Sequence, residues 1–154
     1  MLAARRWAVR HAAFLDGLYG RFEWVLFLIR PVAGLIGFDR LERPVVIVER
    51  GIKGALFDCQ MCGQCALSHT GMSCPMNCPK NLRNGPCGGV RQDGGCEVVP
   101  EMQCVWVAAW EGAQKIADRD RIMDVQGPVD HRLKDKSSWL RVLQHGLRRR
   151  RHER

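Results

Sequence analysis

All eight cysteines of this 154-residue chain fall between Cys59 and Cys104, and the segments on either side contain none. They are Cys59, Cys62, Cys65, Cys74, Cys78, Cys87, Cys96 and Cys104. Glycine and proline recur through the same stretch, and both favour turns over helix or strand. Such a segment cannot bury enough apolar side chain to hold itself together. Thiolates are soft, anionic ligands suited to zinc, copper(I) and iron–sulfur clusters, and four of them complete one tetrahedral or cubane site. Eight therefore match two sites. Metal–thiolate bonds are expected to replace the missing core over residues 58–104, so that chelation unfolds it.

The alternatives to metal are weak. Residues Met1 to Phe14 carry Arg5, Arg6 and Arg10 with no uninterrupted apolar core and no small-residue cleavage site, so no secretory signal is expected. The cysteines then meet a reducing cytoplasm, where structural disulfides are rare. The most apolar run, Trp24 to Phe38, contains Arg30 and Pro31 and falls short of the roughly 20 residues that span a bilayer. No transmembrane segment and no peripheral membrane contact are expected. The chain is also too short for a flavin barrel of roughly 250 residues, so chemistry on a large cofactor must come from a partner.

Formal charge totals +8 and divides as +4 over residues 1–54, −1 over 55–110 and +5 over 111–154. A basic periphery suits an anionic metal core. Nucleic-acid knuckles carry their cations between the ligands, and this segment does not, so no specific nucleic-acid binding is expected. The run Arg148 to Arg151 reads as a solvated basic tail.

The flanks predict a mainly α fold around a large irregular metal-binding region. Residues 3–30 read as one amphipathic helix, with Leu15, Leu18, Phe22, Val25 and Ile29 on a single stripe. Pro31 is expected to stop or kink it. The stripe is expected to pack on protein, part of it facing a second subunit. Pro44 suits the start of another helix carrying Val45, Val48, Ile52 and Leu56. After Cys104, Val105 to Ile116 reads as a helix with Trp106, Trp110 and Ala113 packed on one face. Residues 124–136 read as extended. Ser137 or Ser138 then caps a short helix holding Trp139, Leu140 and Leu143. Three regions result: residues 1–57 as scaffold and partner docking, 58–104 as metal binding, and 105–154 as helix, extended segment and basic tail.

Within the metal region, Cys59-x-x-Cys62-x-x-Cys65 has the spacing of bacterial ferredoxin loops, which wraps backbone around three corners of a cubane. A cysteine followed by proline would complete the set. Both Cys74-Pro75 and Cys78-Pro79 offer one, after a longer gap than in ferredoxins, and the fourth ligand stays open. Cys87, Cys96 and Cys104, with one or both of that pair, supply a second set. Zinc knuckles more often pair two CxxC motifs across a spacer. One or two [4Fe–4S] clusters therefore lead, with zinc alongside or alone as the competing assignment. Gly63, Gly88 and Gly89 let backbone approach a cluster. Lys80 and Arg83 either raise its reduction potential or are exposed loop cations. His69 reads as a loop residue, and no catalytic nucleophile constellation is visible.

The string CQMCGQCALSHTGMSCPMNCPKNLRNGPCGGV, followed by GGCEVVPEMQCVW, resembles the methylenetetrahydrofolate reductase C-terminal domain family. The flanks ERGIKGALFDC and PVDHRLKDKSSWLR extend the likeness. The resemblance implies a small subunit holding iron–sulfur centres, with or without zinc. Its implied partner is a barrel carrying FMN or FAD that reduces methylenetetrahydrofolate to methyltetrahydrofolate. The centres would relay electrons or stabilise the complex. By matching position all eight cysteines become ligands, and Asn84, Gly85 and Pro86 shape a loop. The barrel itself is not in this chain, so the resemblance implies no catalytic residue and no reductase activity for the chain alone.

Overall fold

A computed structural model describes residues 1–145, and the basic tail read from the sequence lies outside them. Five α-helices carry the fold: α1 (Leu2–Arg10), α2 (Ala12–Ile36), α3 (Phe38–Phe57), α4 (Val105–Ala113) and α5 (Ser138–His145). From Cys59 to Glu101 the only regular pieces among the described residues are one 3-10 turn, Pro75–Asn77, and the isolated bridge Val90–Cys96; a second bridge joins Gly95 to Gln103. The cysteine region is irregular, as its composition predicts.

The N-terminal half differs from expectation in where its helices break. His11 separates α1 from α2, its imidazole stacked on Trp7 with ring centroids 4.5 Å apart. Neither proline is a boundary: α2 runs through Pro31 to Ile36, and α3 starts at Phe38 and runs through Pro44. Both rings lie on exposed faces, where water can serve the carbonyl that each proline leaves without a donor. The actual break is Gly37, at φ +94°, a conformation open to glycine.

The α2 stripe also differs. Leu15, Leu26 and Ala33 are buried and Tyr19 and Phe22 half-buried, whereas Leu18, Val25 and Ile29 are exposed. This helix is apolar around most of its circumference, so spacing alone did not select the packed face. Trp24 (68% exposed), Leu28 and Leu35 (89%) face outward. In α4, Trp106 is buried and donates its indole N–H to Leu82 O at 3.1 Å, but Trp110 is exposed and takes no part in the expected packed face.

Three apolar clusters organise the molecule. The first joins Ala8, Ala12, Leu15 and Phe57 to Leu67, Met72, Cys74 and Ile116, drawing on all three regions of the chain. The second packs Trp139, Leu140 and Leu143 of α5 on Leu26 and Ala33. The third sets Cys104, Trp106 and Ala109 against Val90 and Ile122. Ser137 caps α5, its hydroxyl accepting from Leu140 N–H at 3.1 Å. Residues 124–136 include a 3-10 turn at His131–Leu133.

The cysteine region docks on α4 through two facing glycines. A Cβ at Gly112 would stand 2.0 Å from Gly71 O, and one at Gly71 would stand 2.1 Å from Ala113 N. Both obstacles are backbone. Gly112→Ala is therefore expected to cost about 1–3 kcal/mol and lower the melting temperature by about 5 °C. Thermal denaturation followed by circular dichroism checks this; an unchanged midpoint would show that the contact can relax.

Candidate metal centre

The α3 helix ends at Asp58 in the left-handed conformation (φ 52°, ψ 50°), and the turn delivers Cys59 straight off the helix. Arg5 fixes this corner: its guanidinium binds Asp58 Oδ2 through Nε at 3.1 Å and also through Nη2, and Nη1 reaches Met102 Sδ at 3.2 Å. Beyond the corner, Met61 N–H donates to Cys59 Sγ at 3.4 Å. Gly63, at φ +70°, lies so close to Leu133 that a Cβ there would stand 2.4 Å from Leu133 O. Its missing side chain thus admits the returning chain. That returning segment braces the knuckle: Gln64 Oε1 accepts from Asp130 N–H at 2.8 Å, Lys134 Nζ donates to Gln60 O at 2.8 Å, and Asp135 N–H donates to Met61 O at 2.9 Å.

A tight turn over residues 66–73 carries the chain on to Cys74. Thr70 Oγ1 donates to Ser73 O at 2.6 Å, and Ser73 Oγ donates to Val105 O at 3.0 Å. This geometry brings Cys59, Cys62, Cys65 and Cys74 to the wall of one cavity of about 20 Å³, which Cys78 does not line. Cys78 leads instead into a turn in which its carbonyl accepts from Asn81 N–H at 2.8 Å.

All eight cysteines are free thiols. Burial, together with the neighbouring Cys59, Cys65 and Cys62, pushes the Cys74 thiol up to about 12. Burial likewise raises Cys59, with Cys65 and Cys62 adding to it. Cys59 and Cys74 thus keep their protons more firmly than a free thiol, and a soft cation bound by the four sulfurs would displace them. As the side chains stand they do not close on one point, and no group of three or more Cys, His, Asp or Glu among the described residues is arranged to hold an ion. In donor chemistry the first four fit a thiolate-bound metal.

One cation beside the cavity went unread in the sequence. Lys53 lines it, buried, with Nζ donating to Glu49 Oε1 and to Ser138 Oγ at 2.7 Å each. Glu49 in turn accepts from Ser137 Oγ at 2.6 Å and Ser138 Oγ at 2.5 Å. Burial disfavours the ammonium, yet Cys65 and Glu49 outweigh it and hold its pKa above the ordinary lysine range. The sequence signal was the Glu49/Lys53 pair at i,i+4 on an otherwise apolar helix face. Of the two cations proposed from sequence, Arg83 lines the cavity and donates to Gln64 O at 2.7 Å. Lys80 does not; it pairs with Glu97 beside Cys87.

The remaining cysteines lie elsewhere. Cys87 is exposed and accepts from Gly89 N–H at 3.4 Å. Gly88 stands in open space, and a Cβ on Gly89 would strike the Glu97 carboxylate. Cys96 N–H donates to Met102 O and Cys104 N–H to Gly94 O, both at 2.9 Å, which ties these loop segments together. Asn84 anchors the loop before Gly85, donating to Gln126 O at 2.8 Å and accepting from Gln126 N–H at 2.7 Å. His69 Nδ1 lies 3.1 Å from Asp124 Oδ2.

A family model described as "Methylene-tetrahydrofolate reductase C terminal" matches residues 38–132, from the start of α3 past the last cysteine. No curated protein and no solved structure matches the chain.

Proposed function

The chain belongs to the methylenetetrahydrofolate reductase C-terminal family, and from that premise we propose that it is the accessory metal subunit of a flavin-dependent methylenetetrahydrofolate reductase. The observation that carries the reading is the meeting of Cys59, Cys62, Cys65 and Cys74 on one cavity beside the buried Lys53. Those four residues would hold a [4Fe–4S] cluster, and the CxxCxxC spacing favours it over zinc. When bound, such a cluster supplies one-electron redox chemistry. The chain's own groups provide the setting: Met61 N–H faces Cys59 sulfur, and the buried Lys53 ammonium, paired with Glu49, lines the same cavity.

The partner in this reading is the barrel that carries FMN or FAD and performs hydride chemistry on the folate. The exposed apolar face of α2 supports a protein neighbour. Among the described residues no helix is long and apolar enough to cross a membrane. Free thiols suit a reducing cytoplasm. The competing reading is a zinc-stapled structural adaptor, in which the cysteines hold zinc and organise the complex without redox function.

Anaerobic purification with iron, zinc and sulfide analysis tests the proposal. The expected protein is brown, absorbs broadly near about 400 nm and bleaches with dithionite. A colourless chain loaded only with zinc would replace the electron-relay reading with the structural one.

A further inference from the structure

The outward face of α2 carries a regular pattern. Phe14, Leu18, Val25, Leu28, Val32 and Leu35, with Arg21 among them, follow one another at alternating steps of four and three residues. The six apolar members are 46–89% exposed, while Leu15, Leu26 and Ala33 on the inner face are buried. This helix thus has two apolar stripes, of which the described residues cover one. A four-three alternation is the heptad seam along which one helix packs on another. The six side chains, with Trp24 and Ile29 beside them, expose on the order of 800 Å² of apolar surface, about the share that one partner gives to a stable interface.

We propose that α2 pairs with α2 of a second copy of this chain, the two helices antiparallel about a two-fold axis at the level of Leu26 and Phe27. The seam calls for a helix of matching period and length, and the second copy supplies one. Arg21 decides the orientation. It is the one charge on the stripe, since Asp16 turns to Arg121 and Glu23 is buried. Parallel copies would set Arg21 against Arg21 inside the seam, where like charges repel. Antiparallel copies set Leu18 against Leu35, Arg21 against Val32 and Val25 against Leu28. The two Arg21 residues then stand about 16 Å apart along the helices. Each aliphatic stem lies over Val32 of the other copy, and its guanidinium reaches water at the edge. A bilayer surface has no period to match and would have to take in Arg21 at the centre of its contact. The pairing goes beyond the accessory-subunit reading and holds whichever metal the cysteines take.

Sedimentation equilibrium of the purified full-length chain, kept reduced, tests the pairing. A dimer with a dissociation constant at or below about 10 µM is expected. Leu28→Lys, which brings an unpaired cation against Val25 of the second copy, should weaken it at least about tenfold. Val32→Glu should leave it within about threefold of wild type, because the new carboxylate meets Arg21 of the second copy. Both positions are exposed, so circular dichroism should show an intact fold in each variant. If Val32→Glu dissociates the dimer as Leu28→Lys does, the antiparallel register is overturned, since that is the result of like charges meeting in a parallel pair. A wild-type chain monomeric at about 100 µM overturns the pairing, and so does a dimer indifferent to Leu28→Lys. A monomer hands the stripe to the barrel subunit or to lipid, and co-sedimentation with vesicles of anionic phospholipid tells these two apart. Molecular mass is read separately from metal content, so failure of the dimer and failure of the metal reading are distinct results.

Discussion

Cys74→Ser is expected to empty the proposed metal site of the first four cysteines, whereas Cys78→Ser leaves it filled. Both residues precede a proline and both suit a fourth ligand by spacing, but only Cys74 shares the cavity of Cys59, Cys62 and Cys65. A structural metal–thiolate site contributes on the order of 10 kcal/mol, comparable to the whole stability of a domain. Its loss should therefore unfold the loop rather than loosen it. Metal per chain by mass spectrometry reads the first effect. Faster tryptic cleavage after Lys80 and Arg83 reads the second. Equal metal loss from both variants would show that Cys78 belongs to the same site.

Lys53→Met is expected to cost about 3–5 kcal/mol and lower the melting temperature by about 10 °C, because it strands the Glu49 carboxylate in the interior. The side chains of Lys53 and Glu49 are only 4% and 2% exposed, so solvent offers little screening. Adding Glu49→Leu to Lys53→Met should recover most of the loss. The pH dependence supplies a sign. Burial pushes the Glu49 pKa up, but the Lys53 charge and the hydrogen bonds from Lys53, Ser137 and Ser138 outweigh it and leave it below 4.5. The carboxylate's contribution is thus present above that value and lost as pH falls through the folded pKa. The ammonium's raised pKa makes its contribution complete below about 10.5 and lost as pH rises through the folded value. Wild-type melting should be flat between about pH 5 and 8 and drop on the acid side, and above about pH 9 the raised Cys59 and Cys74 thiols lower it again. In Lys53→Met, burial acts on Glu49 without its counter-charge, so stability should rise as pH falls toward 5. Melts across this range that run parallel for the two proteins would contradict the pairing.

Much of the fold was legible because composition and spacing are local properties. Dense glycine and proline marked the irregular stretch, and the Ser137-Ser138 pair marked the start of α5. The misreadings have a common cause: each was decided by a distant neighbour. Pro31 ends no helix and Pro44 starts none, each lying within a helix on a face that meets solvent. The packed side of α2 was chosen by Trp139 and Leu140, more than a hundred positions away, from a helix apolar on nearly every side. Cys74 and Cys78 look equivalent until Ser73 hooks to Val105 and draws Cys74 inward. Lys53 reads as an ordinary surface lysine until Ser138, 85 positions later, closes over it.

That last separation bears on how the site is made. A nascent chain emerges in order, and the four thiols leave the ribosome well before Ile116 can seal the floor beneath Cys74 or Ser138 can bind Lys53. For several seconds of synthesis at about 5–20 residues per second the sulfurs stand uncovered, open to oxidants and to whichever metal donor is at hand. Cofactor loading in this interval would precede closure by the C-terminal helix, which then acts as a latch rather than a gate.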